Sequence, residues 1–520
     1  MANRVWLSLA FAALAAMPTA SLNAQDNAPN AQAVLAAANK AMGGDKLHTL
    51  QYSATGYVGA LGQAYAGNLD DTWPRFELKT FVRTIDYDTM SMKEERTLVQ
   101  GPWPASHGGG QRPIVGERKS TQMVSGNYAW DVNAQGQPVP QPTQGELRQL
   151  ELIMTPHGFI KAAMQAKDAT ASVQQEGTRN MKKVTIVSFK AFGKYPVNGW
   201  INDDNTINKV QTWLPNPVLG DMFVETRAQR GYKDYGGVKF PVNFHQSIGD
   251  PPAPGYDLTI TDVKPNVANA SLQVPDMVRQ AAAQPARVAT RQLAPGVWFL
   301  GGPYNSLAVE FKDFALVVEA PMDGERSLAV IAETHRLMPT KPIRYLVNTH
   351  HHWDHSGGLR EFAAEDALIV THESNFDYYE GVVFDLRPRL VAPDRLSKAP
   401  RQVHYLLVKD KRTITDGERS IDIMHMENLE HAEDMLIAYL PKEKIVVEGD
   451  MYNPAPAGQP QPPVNPQNQN FLYNLERWGI QPETIVSIHT GVHPMSDFLK
   501  LMGIDRIPVR GRGLNAELNE

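Results

Sequence analysis

Residues 350 to 355 read His350-His351-His352-Trp353-Asp354-His355 and are followed by Ser356-Gly357-Gly358. In this H-x-H-x-D-H spacing, three imidazoles and a carboxylate crowd into six residues. That is more nitrogen and oxygen donors than one tetrahedral ion uses, so the spacing points to two adjacent metal ions. The cluster is internal and is interrupted by an acid and a tryptophan, which sets it apart from a terminal histidine tract. The preceding Ile343-Arg344-Tyr345-Leu346-Val347-Asn348 has the apolar, β-rich look of a buried strand, and Gly357 to Phe362 reads as entry into a helix. The candidate ligands therefore belong on a strand-to-helix loop, where an α/β sheet carries its chemistry.

With this core the sequence resembles the metallo-β-lactamase-fold hydrolases, and residues downstream continue the resemblance. His431 precedes the strand-like Met435 to Leu440, Ile445-Val446-Val447-Glu448-Gly449-Asp450 resembles the strand that ends in the family's Gly-Asp, and Ile485 to Gly491 resembles its last strand with ligand His489. His493 is the alternative to His489. The resemblance implies His350, His352 and His431 on one ion, Asp354, His355 and His489 on the other, and Asp450 shared between them, with two zinc ions per chain. A water bridging two such cations loses its proton near neutral pH. The implied reaction is attack of that hydroxide on an ester, lactone, lactam or related bond of a small molecule. Asp354 is then the catalytic residue, orienting the hydroxide or taking its proton. His351, His372, His404 and His425 have no place in the motif and read as surface or packing residues, although His351 is close enough to reach the pocket.

The chain has no cysteine, so lactamase branches with a thiolate ligand do not match, and His352 disfavours the diiron branch that has glutamate at that position. Asp450 makes glyoxalase-, lactonase-, phosphodiesterase- or sulfatase-like hydrolases the closer analogues. Many members carry Asp-Thr-Gly or Asp-Ser-Gly after an early strand. Here the segment is Leu316-Val317-Val318-Glu319-Ala320-Pro321, so either Glu319 replaces the usual aspartate or that support is absent.

Val5 to Met17 is an apolar stretch too short to span a bilayer, and it reads as a secretory leader ending at Ala24, with Ser21 as the alternative. The expected location is the periplasm, with no integral membrane segment once the leader is removed. A chain without disulfides stands in an oxidising compartment because 520 residues can bury enough apolar surface. A formal charge of −6 without a basic run gives no footprint for nucleic acid. The sequence leaves the oligomeric state open.

Length requires more than one domain. The expected class is α+β: a leader at 1–24, an N-terminal antiparallel β-rich domain with helices at 25–280, a linker at 281–292, an αββα metallo-β-lactamase sandwich at 293–505 and a tail at 506–520. In the N-terminal region a helix from Ala31 to Ala41 stops at Met42-Gly43-Gly44. Period-two stretches follow at 75–81, 183–189, 223–226 and 238–242, interrupted by one helical interval from Gln144 to Ala166. With Gly236 to Pro241, this texture resembles bacterial lipoprotein-carrier domains. The alternative function is accordingly a lipid- or hydrophobic-ligand-binding protein with a structural metal domain. Pro454 to Gln469, rich in Pro and Gln, reads as irregular and able to overhang the metal site, and Tyr378, Tyr379, Tyr452 and Trp478 are candidate pocket aromatics.

Overall fold

The computed structural model describes residues 28–67, 73–103, 108–110, 113–177, 181–249, 252–387, 389–456 and 458–509. The expected leader with Ser21 and Ala24, and residues 510–520 of the expected tail, lie outside the described residues. Among the described residues, no helix is long and apolar enough to cross a membrane.

The period-two stretches fall inside the strands Arg75–Asp86, Lys182–Ala191, Gly220–Tyr235 and Val238–Ile248. These belong to a 13-stranded sheet. From the edge strand Pro138–Pro140 the order runs back through the sequence to Thr49–Gly59, which pairs with Ala253–Pro265, and then on to the opposite edge, Thr170–Glu176. Side chains alternate between the faces, as in Tyr195–Ile201, whose every second residue is buried. Leu35, Leu150, Phe159 and Ile160, from three helices, pack against sheet residues such as Val187 and Val197. The second of these helices, Gly145–Ile153, does not continue to Ala166 as expected. Pro156 has no N–H to extend it, so a third helix, Pro156–Gln165, starts there with Thr155 as its cap.

The remaining strands form a 7-stranded and a 6-stranded sheet packed face to face. Val309, Val318, Val347 and Val370 of the first sheet meet Ile423, Leu436, Val447 and Val486 of the second. The helices Gly324–Leu337 and Leu359–Ala364 cover the outer face of one sheet, and Pro466–Trp478 and Met495–Met502 cover the other. This is an αββα sandwich within an α+β chain. Its first strand is Ala289–Ala294, which begins within the stretch read as linker and runs into the expected domain. That strand is a largely exposed edge with no apolar alternation, so periodicity does not reveal it.

The two parts interlock. The turn between Ile207–Asn216 and Gly220–Tyr235 inserts a fully buried Val218 into the core of the sandwich, a burial worth about 1.5–3 kcal/mol. Arg389 donates to the carbonyls of Pro217 (2.8 Å) and Val218 (2.9 Å), while the Asp221 carboxylate accepts from the backbone N–H groups of Leu390 (2.6 Å) and Val391 (3.0 Å).

Candidate metal centre

The buried strand Ile343–Val347 delivers Asn348, Thr349 and the histidine cluster, and Trp353–Ser356 forms one short helical turn before Leu359–Ala364. Gly358 is required at this corner: a Cβ there would lie 1.7 Å from Ser327 Oγ. His431 comes from the loop before Leu436–Leu440, Asp450 from just past Ile445–Glu448, and His489 from just past Thr484–Ser487. Residues far apart in sequence thus meet at one rim of the sandwich.

All seven expected ligands converge. Asp450 Oδ2 lies 3.0 Å from His355 Nε2 and 3.4 Å from both His350 Nε2 and His431 Nε2, while Asp450 Oδ1 is 2.9 Å from His489 Nε2. His350 Nε2 is 2.9 Å from His352 Nδ1, and His355 Nε2 is 3.1 Å from His489 Nε2. Asp354 Oδ2 stands 3.6 Å from His355 Nε2 and 4.0 Å from His489 Nε2. Three groups have donor atoms mutually within 4.8 Å: His350, His352 and His431; His350, His355 and Asp450; and Asp354, His355 and His489. His493 stays outside, its Nε2 2.9 Å from Thr490 Oγ1.

The donor set fits divalent cations. Imidazole nitrogens face each other at hydrogen-bond distance, and His431 Nε2 and Asp450 Oδ2 are buried with no hydrogen-bond partner. Burial pushes His350 and His352 well below the usual imidazole value, which keeps them in the neutral, lone-pair form. Burial opposes the charge on Asp450, but His431, His355 and His489 outweigh it and hold the carboxyl well below its ordinary range. At His355 burial is likewise outweighed, by Asp354, Asp450 and Glu319, and the ring is raised.

Supporting groups fix the tautomers. Glu319 is fully buried, with φ of 83°, and accepts from Thr349 Oγ1 (2.5 Å), His355 Nδ1 (2.9 Å) and Asn348 Nδ2 (3.1 Å). It therefore supplies the support whose aspartate the sequence lacks. Thr349 Oγ1, which donates to Glu319, is 3.1 Å from His350 Nδ1 and accepts its proton, leaving Nε2 toward the site. The backbone carbonyl of Ala64, on the N-terminal domain, lies 2.8 Å from His352 Nε2. A carbonyl only accepts, so that nitrogen carries the proton and Nδ1 faces the other candidate ligands.

The neighbouring Gln63 donates from Nε2 to Asp354 Oδ1 (2.8 Å) and accepts from Gly110 N (2.8 Å). Gly62 makes this approach possible: with φ of 70°, a Cβ there would sit 2.2 Å from the Trp353 ring. Neither Gln63 nor Ala64 was legible as a site residue. His351, read as a surface or packing residue, is buried. Its N and Nδ1 bond to the Asp434 carboxylate at 2.8 Å each, and its Nε2 lies 3.1 Å from the Ala64 carbonyl. His372 and His425 stack on each other at 4.1 Å, away from the ligands.

The four proposed aromatics are not pocket walls. Tyr378 and Tyr379 are core residues on one side of the sandwich, and Tyr452 and Trp478 pack among the helices on the other. Tyr304 takes that place, its ring 4.6 Å from that of His489. Burial, reinforced by the Asp354 and Asp450 carboxylates, pushes its phenol well above the ordinary value and keeps it a donor. Of the Pro- and Gln-rich stretch, the described residues 454–456 and 458–465 are irregular and Pro466 onward is helical. Pro462 to Gln467 line the cavity at the metal centre.

Residues 300–484 match the sequence model of the metallo-beta-lactamase superfamily. The C-terminal region is a metallo-beta-lactamase superfamily domain. Among solved structures, a metallo-beta-lactamase from Pontibacter korlensis is 14% identical, with 42% of this chain and 100% of that one aligned at a TM-score of 0.32. FIM-1 from Pseudomonas aeruginosa, in its mono-zinc form, is 20% identical over 42% of this chain and 93% of its own, with a TM-score of 0.31. A metallo-beta-lactamase from Hirschia baltica is 18% identical over 41% and 95%, also with a TM-score of 0.31. No curated protein matches the chain. The matched segment of the metallo-beta-lactamase domain carries His350, His352, Asp354, His355, His431 and Asp450, and His489 follows just beyond it.

Proposed function

We propose that this chain is an exported, dinuclear zinc hydrolase that opens an ester, lactone, lactam or related bond of a small molecule. The observation that carries this reading is the convergence of His350, His352, His431, Asp354, His355 and His489 around the single carboxylate of Asp450. His350, His352 and His431 would hold one ion and Asp354, His355 and His489 the other, with Asp450 between them. Ions held there supply Lewis acidity toward a carbonyl oxygen and make water more acidic.

The protein's own groups orient the reactants. Gln63 ties down Asp354 Oδ1 and leaves Oδ2 toward the site, where it accepts the proton of the attacking water. Tyr304, on the cavity wall against His489, is placed to donate to the oxygen on which negative charge develops. Glu319, Thr349 and Ala64 keep the imidazoles aimed so that no reorganisation is needed during reaction. A purely structural metal site is closed by protein. Here Asp354, His431, Asp450 and His489 all line an open cavity, which favours catalysis over the ligand-binding alternative.

Elemental analysis combined with a screen of esters, lactones, lactams, phosphodiesters and alkyl sulfates tests the reading. Two zinc ions and turnover on one class are expected, whereas a metal-free, folded protein inert on all classes overturns it. The periplasmic location rests on residues 1–24, and N-terminal sequencing of the mature protein should begin near Gln25.

A further inference from the structure

The cavity at the metal centre is far larger than the centre needs. Its volume is about 1290 Å³, beyond the roughly 300–1,000 Å³ of ordinary small-molecule pockets. Most of it lies against the N-terminal sheet. It crosses six neighbouring strands, Arg118–Ser125, Ser91–Val99, Arg75–Asp86, Thr49–Gly59, Ala253–Pro265 and Val238–Ile248, each of which contributes wall residues. At a strand spacing of about 4.8 Å this is roughly 24 Å across.

The wall changes character with distance from the metals. Ala60 and Leu61 lead directly into Gln63, which holds Asp354, and Val58 pairs in register with Phe76 beside them. Along the strand Arg75–Asp86 the wall proceeds from Phe76 to Phe81 and then to Arg83; along Ser91–Val99 it proceeds from Leu98 to Arg96 and Glu94. Phe76 and Arg83 are seven positions apart in an extended strand, roughly 20 Å. At the far end Arg83 and Glu94 are both buried and paired, with Arg83 Nε 3.0 Å from Glu94 Oε2 and Arg96 Nη1 3.6 Å from Glu94 Oε1. A largely apolar tract, crossed by Arg118 over the Phe76 ring, therefore begins at the reactive end and is closed by a polar floor in which Glu94 and Glu151 offset Arg83 and Arg96. A buried ion pair that satisfies itself does not demand a charged ligand, whereas the apolar wall gains from covering at about 25 cal/mol per Å².

We propose that the substrate is a medium- or long-chain acyl compound, with its carbonyl at the metal centre and its hydrocarbon chain lying along the N-terminal sheet between Phe76 and the Arg83–Glu94 pair. This rests on the hydrolase reading above and names the substrate for that same site. The N-terminal domain is then the acyl-binding half of the active site. The reaction is balanced by water alone: the acyl-to-oxygen or acyl-to-nitrogen bond breaks, water supplies the new carbon–oxygen bond, and its protons leave on the released acid and alcohol or amine.

The full-length protein is tested in two ways. Binding is read in zinc-free and zinc-loaded protein by displacement of 1-anilinonaphthalene-8-sulfonate with laurate, and turnover is read on p-nitrophenyl acetate, octanoate and laurate. Laurate should displace the dye from both forms, and kcat/KM should rise at least about tenfold from acetate to laurate. Leu98→Trp and Val58→Trp fill the tract from two different strands, so a folding failure in one leaves the other. Either variant that still binds two zinc ions should weaken laurate binding about tenfold and lower the laurate-to-acetate ratio of kcat/KM. Laurate that fails to bind, or binding that is unchanged in both variants, overturns the proposal. Laurate binding without turnover of any ester keeps the acyl site and overturns ester hydrolysis. Turnover independent of chain length keeps the hydrolase reading and overturns the acyl site.

Discussion

Removing the Gln63 amide tests how far the N-terminal domain acts on the metal centre. Gln63→Ala deletes the 2.8 Å hydrogen bond to Asp354 Oδ1 and the acceptor for Gly110 N. A hydrogen bond to a charged group contributes about 1.5–3 kcal/mol. The carboxylate is partly exposed, so the lower half of that range applies. At about 1.4 kcal/mol per tenfold, the ion held by Asp354, His355 and His489 should bind about 10- to 40-fold more weakly, within the range of about 10- to 100-fold known for supporting partners of metal ligands. Competition with a chromophoric zinc chelator reads both affinities. The first should stay near its wild-type value and the second should fall, so that limiting zinc loads close to one ion per chain. Thermal melting of the zinc-free variant separates this from damage to the fold and should shift by only a few degrees. Two wild-type zinc affinities in Gln63→Ala would refute the reasoning.

Asp450→Asn preserves size but removes the carboxylate that four imidazoles approach; elemental analysis should show fewer than two ions and turnover should fall by orders of magnitude, and full loading with full turnover would count against a shared ligand. His351→Ala is not a neutral change despite lying outside the ligand set, because it strips the buried Asp434 carboxylate of its imidazole partner and leaves it only the backbone N–H of residue 351 and Asn375 Nδ2; urea unfolding should show a loss of about 1.5–3 kcal/mol. His157 is buried, with its Nε2 3.1 Å from the Met42 carbonyl, and burial pushes it down to about 4 from 6.5. The unfolded chain takes up this proton first, so the stability is complete above about pH 6.5 and is lost as pH falls toward 4. Zinc-free protein should lose about 2 kcal/mol more than His157→Gln between pH 7.5 and 5 by urea unfolding, and equal losses would count against the assignment.

The legible part of the site is the part set by local spacing. His350, His352, Asp354 and His355 share one loop, so their chemistry is visible in six letters. His431, Asp450 and His489 are individually unremarkable and gain meaning from their order at strand ends. The supporting groups obey neither rule. Gln63 meets Asp354 across 291 positions, and Ala64 acts through a carbonyl that every residue possesses, so no side-chain pattern marks it. Tyr304 is not legible in the sequence because aromatic character does not separate a pocket wall from a core anchor. The sandwich was legible in its apolar strands and not in Ala289–Ala294, whose polar residues carry an edge strand by backbone pairing alone.

The hydrogen bond from His352 to Ala64 has a consequence for the molecule as a machine of two halves. If the docked N-terminal domain raises metal affinity by presenting that carbonyl and the Gln63 amide, bound metal must tighten domain docking by the same factor, because coupling free energies are reciprocal. Zinc availability would then set how firmly the two halves are clasped as well as whether the centre is charged. A zinc-starved chain would keep its acyl-binding wall but clasp it less firmly to the empty centre, and its resistance to separation of the halves would climb with the logarithm of free zinc.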